Sequence, residues 1–215
     1  MKYKIFAITC LVLVGVFAAT TYYYRGQKSQ NYDFVATNQA QVFVRPYSPV
    51  LGSDGARVTI VEFLDPACET CASFSSMVKG WMDQVPGKIK LVVRYAPFHK
   101  GADYFVRVLE ASRNQGLYWE TLGLLFKNQR EWTHAHVAVP EKVWPLLTQL
   151  DLDLDRLRKD MEDPEIQRRI QQDLADAKTL DVRKTPGFFV NGRPLEPFGS
   201  KNLYRLIQSE INAKY

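Results

Sequence analysis

The chain has 215 residues, 46% of them hydrophobic and 24% charged, with a formal net charge of +5. That apolar content can bury a full core, and the length suits one domain with an N-terminal appendage rather than two large domains. Lys2 and Lys4 supply two of the positive charges; the remainder, 26 basic against 23 acidic residues, is an ordinary solvated surface and gives no ground for a nucleic-acid binder.

Twenty uncharged residues, Ile5 to Tyr24, lie between Lys4 and Arg25 and end in Tyr22-Tyr23-Tyr24. A spanning helix needs about 20 apolar residues, and tyrosines suit the membrane interface. We read residues 1–25 as an uncleaved signal anchor, with a signal peptide cleaved near Ala18 or Thr20 as the alternative. Either way the rest of the chain is expected to be exported. Cys10 sits inside the run and reads as a small apolar residue rather than a redox thiol. Residues 26–39 are polar with little periodicity and read as a tether, so the compact domain is expected over 40–213.

Gln41 to Arg45 alternates weakly, as an edge strand would. Val58 to Leu64 is nearly continuous in bulky apolar residues, the mark of a strand covered on both faces; Glu62 is a charge inside it that needs a reason. Pro66 ends the strand. Cys68-Glu69-Thr70-Cys71 follows, then Phe74, Met77, Val78 and Trp81 at helical spacing up to Pro86-Gly87. The first thiol therefore sits at a helix N-terminus, where unpaired N–H groups and the helix dipole favour the thiolate. Cys71, one turn on, can resolve a mixed disulfide formed at Cys68. A purely structural disulfide over so short a gap would stabilise little. A zinc or copper site can be written from Cys68, Cys71, His134 and His136, but the long helical stretch between the pairs is not finger-like spacing.

Lys88 to Tyr95 is a second apolar strand, making a right-handed parallel strand-helix-strand unit. From Gly101 to about Val182 the pattern is helical, with Asp163 capping a helix that starts at Pro164. His134 and His136 read as solvated loop histidines, and His99, after the second strand, can lie beside the sulfurs at the sheet edge; none is taken as catalytic. Thr185-Pro186 leads into a strand through Phe188-Phe189-Val190, Asn191-Gly192 reads as a hairpin turn into Arg193 to Phe198, and Ser200 is placed to cap a last helix.

Glu62, the Cys68-Glu69-Thr70-Cys71 motif, the helical insertion and Thr185-Pro186 before Phe188-Phe189-Val190-Asn191-Gly192 together resemble the DsbA-like branch of the thioredoxin superfamily. The resemblance implies an α/β thioredoxin-like fold with a central mixed β-sheet and an all-helical subdomain inserted at about 101–182. It also implies a thiol–disulfide oxidoreductase of the bacterial envelope. Cys68 would be the surface nucleophile, Cys71 the buried resolving thiol, Glu62 a buried acid assisting proton transfer, and Pro186 a cis-proline. Thr185 beside it would hydrogen-bond an extended substrate.

No cofactor or metal is implied. The implied partners are exported protein thiols or disulfides and a membrane redox protein, met by a monomeric periplasmic domain that residues 5–24 tether to the inner membrane, or a soluble periplasmic one after cleavage. A reductase or isomerase of the same fold, or a copper or zinc delivery module, are the alternatives. One departure concerns direction: strong oxidants of the family have Pro-His between the cysteines, where this chain has Glu69-Thr70, and a glutamate repels the thiolate.

Overall fold

The computed structural model describes residues 2–134 and 137–215, with the side chains at 4, 5, 7, 8, 25 and 28–38 outside the description. The chain divides into two compact units, Met1–Ala40 and Gln41–Tyr215. The first is one helix, α1 (Lys2–Asn38). It runs on through the polar stretch from residue 26, where the sequence suggests an aperiodic tether. Among the described residues no helix is long and apolar enough to cross a membrane.

The second unit is built on a five-stranded sheet. In chain order its elements are β1 (Val50–Gly52), β2 (Val58–Leu64), α2 (Glu69–Gln84), β3 (Ile89–Tyr95), α3 (Ala102–Arg113), α4 (Tyr118–Lys127), α5 (Gln129–Trp132), β4 (Thr133–His134), β5 (Val137–Ala138), α6 (Trp144–Leu147), α7 (Leu154–Met161), α8 (Pro164–Thr179), β6 (Gly187–Val190), β7 (Arg193–Pro194) and α9 (Ser200–Lys214). The strand order is β1-β3-β2-β6-β7, with β2 and β3 parallel and the other neighbours antiparallel, so the sheet is mixed as expected.

β2 is central and covered on both faces, which is why its sequence lacks alternation. Ile60, Glu62 and Leu64 share a face with Leu91, Val93 and Tyr95 of β3 and with Phe188 and Val190 of β6. That face packs on Cys71, Phe74 and Val78 of α2 and on Leu203, Ile207 and Ile211 of α9. On the other face Phe189 meets both Phe43 and Phe63, and fully buried Arg94 bonds to Asp173 at 2.7 Å and Asp176 at 2.5 Å, both from α8. A third donor of the same guanidinium reaches the Val42 carbonyl at 2.6 Å. A buried arginine so fully bonded ties the start of the domain and α8 to the sheet; removing one partner would strand a buried charge.

Three expectations need correcting. Gln41 to Arg45 is not an edge strand: Ala40–Val42 is a 3-10 turn, and Ser48 bonds back to Arg45, so pairing begins only after Pro49, whose carbonyl accepts from Val93 N–H at 3.0 Å. The edge is β1. The insertion is not all helical, since β4 and β5 form a two-residue ladder and Val137 also bridges to Lys100. So short a ladder imprints no period on the sequence. Gly101, at φ 79°, lets the chain pass so close to β5 that a Cβ there would lie 2.8 Å from the Ala138 carbonyl oxygen. Finally, Ser200 does not cap α9; Gly199, at φ 149°, occupies the N-cap position, and Ser200 is the first helical residue.

Other readings match. Asp163 caps α8 by accepting from Glu165 N–H at 2.8 Å, with Pro164 first in the helix. Asn191 (φ 49°) and Gly192 (φ 82°) are both left-handed, the requirement of a tight hairpin turn. Inside the insertion Trp132 is fully buried and stacks on Phe105 with ring centroids 3.9 Å apart. A buried group of hydroxyls and a carboxylate, Tyr95 with Tyr118 at 2.9 Å and Glu110 at 2.7 Å, pins α3 and α4 to the end of β3.

Candidate active site

β2 and β3 are parallel, so their C-terminal ends share one sheet edge. β6 runs antiparallel to β2, and its first residues arrive at that same edge. The edge therefore gathers the turn 65–68, the loop 96–100 and the segment Thr185-Pro186.

The turn after β2 is tightly specified. Asp65 is fully buried; its carboxylate accepts from Ala67 N–H at 2.8 Å, and its main-chain carbonyl accepts from Cys68 N–H at 3.1 Å. Buried Gln129 of α5 donates to the Pro66 carbonyl at 2.8 Å. These bonds deliver Cys68 to the N-cap position of α2 in an extended conformation, φ −82° and ψ 116°. The motif thus opens the helix as its spacing implies, with Cys71 one turn in.

Cys68 is 7% exposed and Cys71 fully buried, and both are free thiols. The expectation of a surface nucleophile is corrected in degree: the Thr185-Pro186 segment lies over Cys68, whose Sγ is 3.3 Å from the Thr185 carbonyl oxygen and donates to it when protonated. The Thr185-Pro186 peptide bond is cis, as the resemblance implies, and Pro186 is buried. A second cis bond, Glu196-Pro197, gives no sign of itself in the sequence.

The electrostatics separate the two thiols. The Cys68 thiol is held down at about 5 by the Cys71 side chain first, then by Thr185 and the main-chain N–H groups of Cys71 and Thr70, against the opposing effect of burial. Cys71 is pushed well above the usual thiol range by burial, by its bond to the Cys68 sulfur and by the charge of Glu62. Glu62, 1% exposed, is pushed up to about 8 by burial and then by Cys68, with Lys79 pulling the other way. Its Oε1 has no hydrogen-bond partner. At neutral pH the edge thus carries a thiolate at Cys68, a thiol at Cys71, and a carboxylic acid whose proton is available where charge changes.

Glu69, which the sequence suggests would weaken the thiolate, is exposed in the first turn of α2 and is not among the leading influences on Cys68. Replacing it still removes a negative charge one residue away. Glu69→His is expected to make the pair more oxidising by about 10–20 mV, the size of an exposed charge pair. A glutathione titration checks this; an unchanged or lower potential would contradict it.

Of the alternative metal set, Cys68 and Cys71 lie at the sheet edge. His134 lies in β4 and is exposed, His136 lies outside the described residues, and among the described residues no three His, Cys, Asp or Glu side chains are grouped to hold an ion. His99 does reach the sheet edge, where its Nδ1 bonds to Asp65 at 2.7 Å. Asp65 is the residue that sequence reasoning missed. Its signal was an acid directly before Pro66, at the end of a buried strand, where an unpaired charge would be costly.

Comparison with known proteins agrees with this geometry. A family model described as Thioredoxin matches residues 45–209. The Na(+)/H(+) antiporter NhaA of Herminiimonas arsenicoxydans is 31% identical over 146 residues, which are 68% of this chain but 22% of that protein. The chain therefore spans 22–28% of the length of such antiporter relatives. A Bacillus cereus protein named "Probable disulfide bond formation protein D" is 24% identical over 202 residues, 90% of this chain and 88% of that one. A thioredoxin-like oxidoreductase from Silicibacter pomeroyi superposes with a TM-score of 0.70 at 29% identity, covering 83% of this chain and 99% of its own. With a matched family model over most of its length, the cysteine pair at the helix start and a cis-proline facing it, the chain belongs to the thioredoxin family.

Proposed function

We propose that the chain exchanges a Cys68–Cys71 disulfide with protein thiols in the bacterial envelope, through a mixed disulfide on Cys68. The observation that carries this reading is the placement of the two sulfurs: Cys68 at the N-cap of α2 under the Thr185-Pro186 segment, its thiol held down at about 5, and Cys71 fully buried one turn in, its thiol pushed up. In the oxidising direction a substrate thiolate attacks Cys68 Sγ, the Cys68–Cys71 bond breaks, and Cys71 leaves with the electron pair and takes the proton of Glu62. A second substrate thiolate then attacks the substrate sulfur of the mixed disulfide. Substrate leaves oxidised by two electrons, and Cys68 leaves as a thiolate that requires no proton. Thr185, beside buried Pro186, offers its main chain to an extended substrate, as in strand addition.

The placement proposed is a monomeric periplasmic domain over 40–213, tethered to the inner membrane by residues 5–24 and serviced by a membrane redox partner. It is supported by the uncharged run Ile5 to Tyr24 and by the confinement of the remaining cysteines to the exchange pair. That stretches similar to this chain occur within proteins named as Na(+)/H(+) antiporters is a further pointer to the membrane.

Replacing the resolving thiol tests the core of this reading. Cys71→Ser is expected to trap substrate proteins as mixed disulfides on Cys68 when incubated with oxidised envelope extract, visible as reductant-sensitive adducts; Cys68→Ser is expected to trap none. Equal labelling of the two variants would defeat the assignment of roles.

A further inference from the structure

The chemistry above leaves one buried charged group without a task. Asp65 is fully buried and lies three residues before Cys68. Its Oδ1 accepts from Ala67 N–H at 2.8 Å, inside the turn that carries the nucleophile. Its Oδ2 accepts twice from one residue on the neighbouring loop, from His99 N–H at 2.8 Å and from His99 Nδ1–H at 2.7 Å. Its own carbonyl accepts from Cys68 N–H at 3.1 Å. The imidazole is 23% exposed, so the pair spans from the interior to the rim of the active edge.

A buried carboxylate is retained only if its lone pairs are occupied, and here the ring of His99 is one of the donors doing so. With Nδ1 as the donor, the tautomer of the ring is set by the carboxylate. The bland alternative is a tie that merely closes the end of β2 on the end of β3. Against it stands the direction of the bonds: two from Asp65 enter the turn Asp65–Cys68 itself, at Ala67 and at Cys68. Any shift of the carboxylate is therefore transmitted to the residue at the N-cap of α2.

We propose that Asp65 and His99 are positioning residues for the exchange reaction, holding the turn before Cys68 so that its sulfur meets the N–H groups at the start of α2. Neither touches substrate sulfur in this role. His99 acts through Asp65, and Asp65 acts through the backbone of the turn. The loop after β3, which the helical insertion follows directly, is thereby coupled to the reactivity of a thiol on a different element.

The test is the ionisation midpoint of Cys68 in the reduced full-length protein, read by thiolate absorbance and by alkylation rate against pH, together with the reduction potential. His99→Phe keeps a ring and drops the donor, with His99→Leu as a smaller replacement should the phenylalanine not fold. His99→Asn returns an N–H donor to the position of Nδ1. The expected result is a midpoint raised by about one unit in the donorless variant, with a less oxidising pair, the loss expected for one charge-assisted hydrogen bond. His99→Asn is expected to recover most of it, and His134→Ala to leave it in place. A folded donorless variant with an unmoved midpoint and potential would overturn the inference, as would equal shifts in the phenylalanine and asparagine variants. If neither donorless variant folds, a midpoint in His99→Asn displaced as far as one unit would overturn it. The inference rests on Cys68 being the exchanging thiol, and the two fail differently. A wild-type midpoint at the ordinary thiol value defeats that reading, whereas a low wild-type midpoint indifferent to His99 defeats only the positioning role.

Discussion

Glu62→Gln is expected to make the folded protein more stable at pH 7 by about 3 kcal/mol and, at the same time, a slower catalyst. The carboxyl is 1% exposed, has one oxygen without a partner and is pushed up to about 8, first by burial and then by Cys68. In the unfolded chain it ionises near 4.5. Between those values the folded state binds a proton that the unfolded state has released, so stability falls as pH rises. The fold carries no penalty below about 4.5, and the full penalty is reached once pH has passed 8. At pH 7 the chain has crossed about two and a half units of that window, at about 1.4 kcal/mol each. Glutamine has the same shape and no proton to hold, so the advantage should shrink to nothing in denaturant titrations near pH 4. An advantage that persists there would mean that burial of the acid is not its source. The kinetic cost follows from the same group: without its proton Cys71 leaves as a bare buried thiolate, and loss of a general acid slows such a step by about a hundredfold or more. Stopped-flow reduction of the disulfide by a model dithiol at pH 7 measures it.

That trade also explains why Glu62 stood out in the sequence. A charge in a run such as Val58 to Leu64 contradicts its surroundings, and contradictions of this kind concentrate at functional positions. The same logic made the C-x-x-C pair legible, because a strand that stops at a proline and a helix that begins on a cysteine fix where the sulfur sits. The resemblance supplied the cis bond at Pro186; the residues alone show only a proline before a strand. Other features left no trace because they depend on partners far away in sequence. The Asp65–His99 bond joins positions 34 apart, and nothing local to Arg94 points to Asp173 and Asp176, which only the fold brings under it. The edge strand was misplaced for a similar reason: Gln41 to Arg45 alternates, but its backbone bonds are claimed by a turn and by Arg94, and only β1 has β3 within reach.

The dipeptide between the cysteines shows how far composition arguments carry. Glu69 is the obvious electrostatic departure from a strongly oxidising member of the family, and taken alone it argues for a reductase. In the folded chain Glu69 faces solvent, while Cys71, Thr185 and two main-chain N–H groups act on the sulfur from closer and drier positions. An exposed charge is screened, and short contacts in a covered site are not.

The reduced protein is therefore expected to be more stable than the disulfide form at neutral pH. Cys68 is held at about 5 in the fold, against about 8.5 for a free cysteine. This is a depressed acid, so its contribution is complete above the unfolded value and disappears as pH falls through 5. At pH 7 it amounts to about 3 kcal/mol. Cys71, pushed up, is protonated in both states at that pH and adds nothing. The disulfide form has no thiolate to gain from, and a bridge across two residues restrains the unfolded chain only slightly. Thermal melts at pH 7 with and without reductant should place the reduced form higher, and the gap should close as pH approaches 5. By the thermodynamic cycle, whatever stabilises the dithiol makes the disulfide a better oxidant, by about 60 mV for 3 kcal/mol, so the potential belongs between thioredoxin's about −270 mV and DsbA's about −120 mV. A reduced form that melts higher sends electrons from substrate to this protein and makes it a donor of disulfides. An oxidised form that melts higher reverses the flow and makes the same residues a reductase or isomerase. A gap of undiminished size at pH 5 would remove the Cys68 thiolate as its cause.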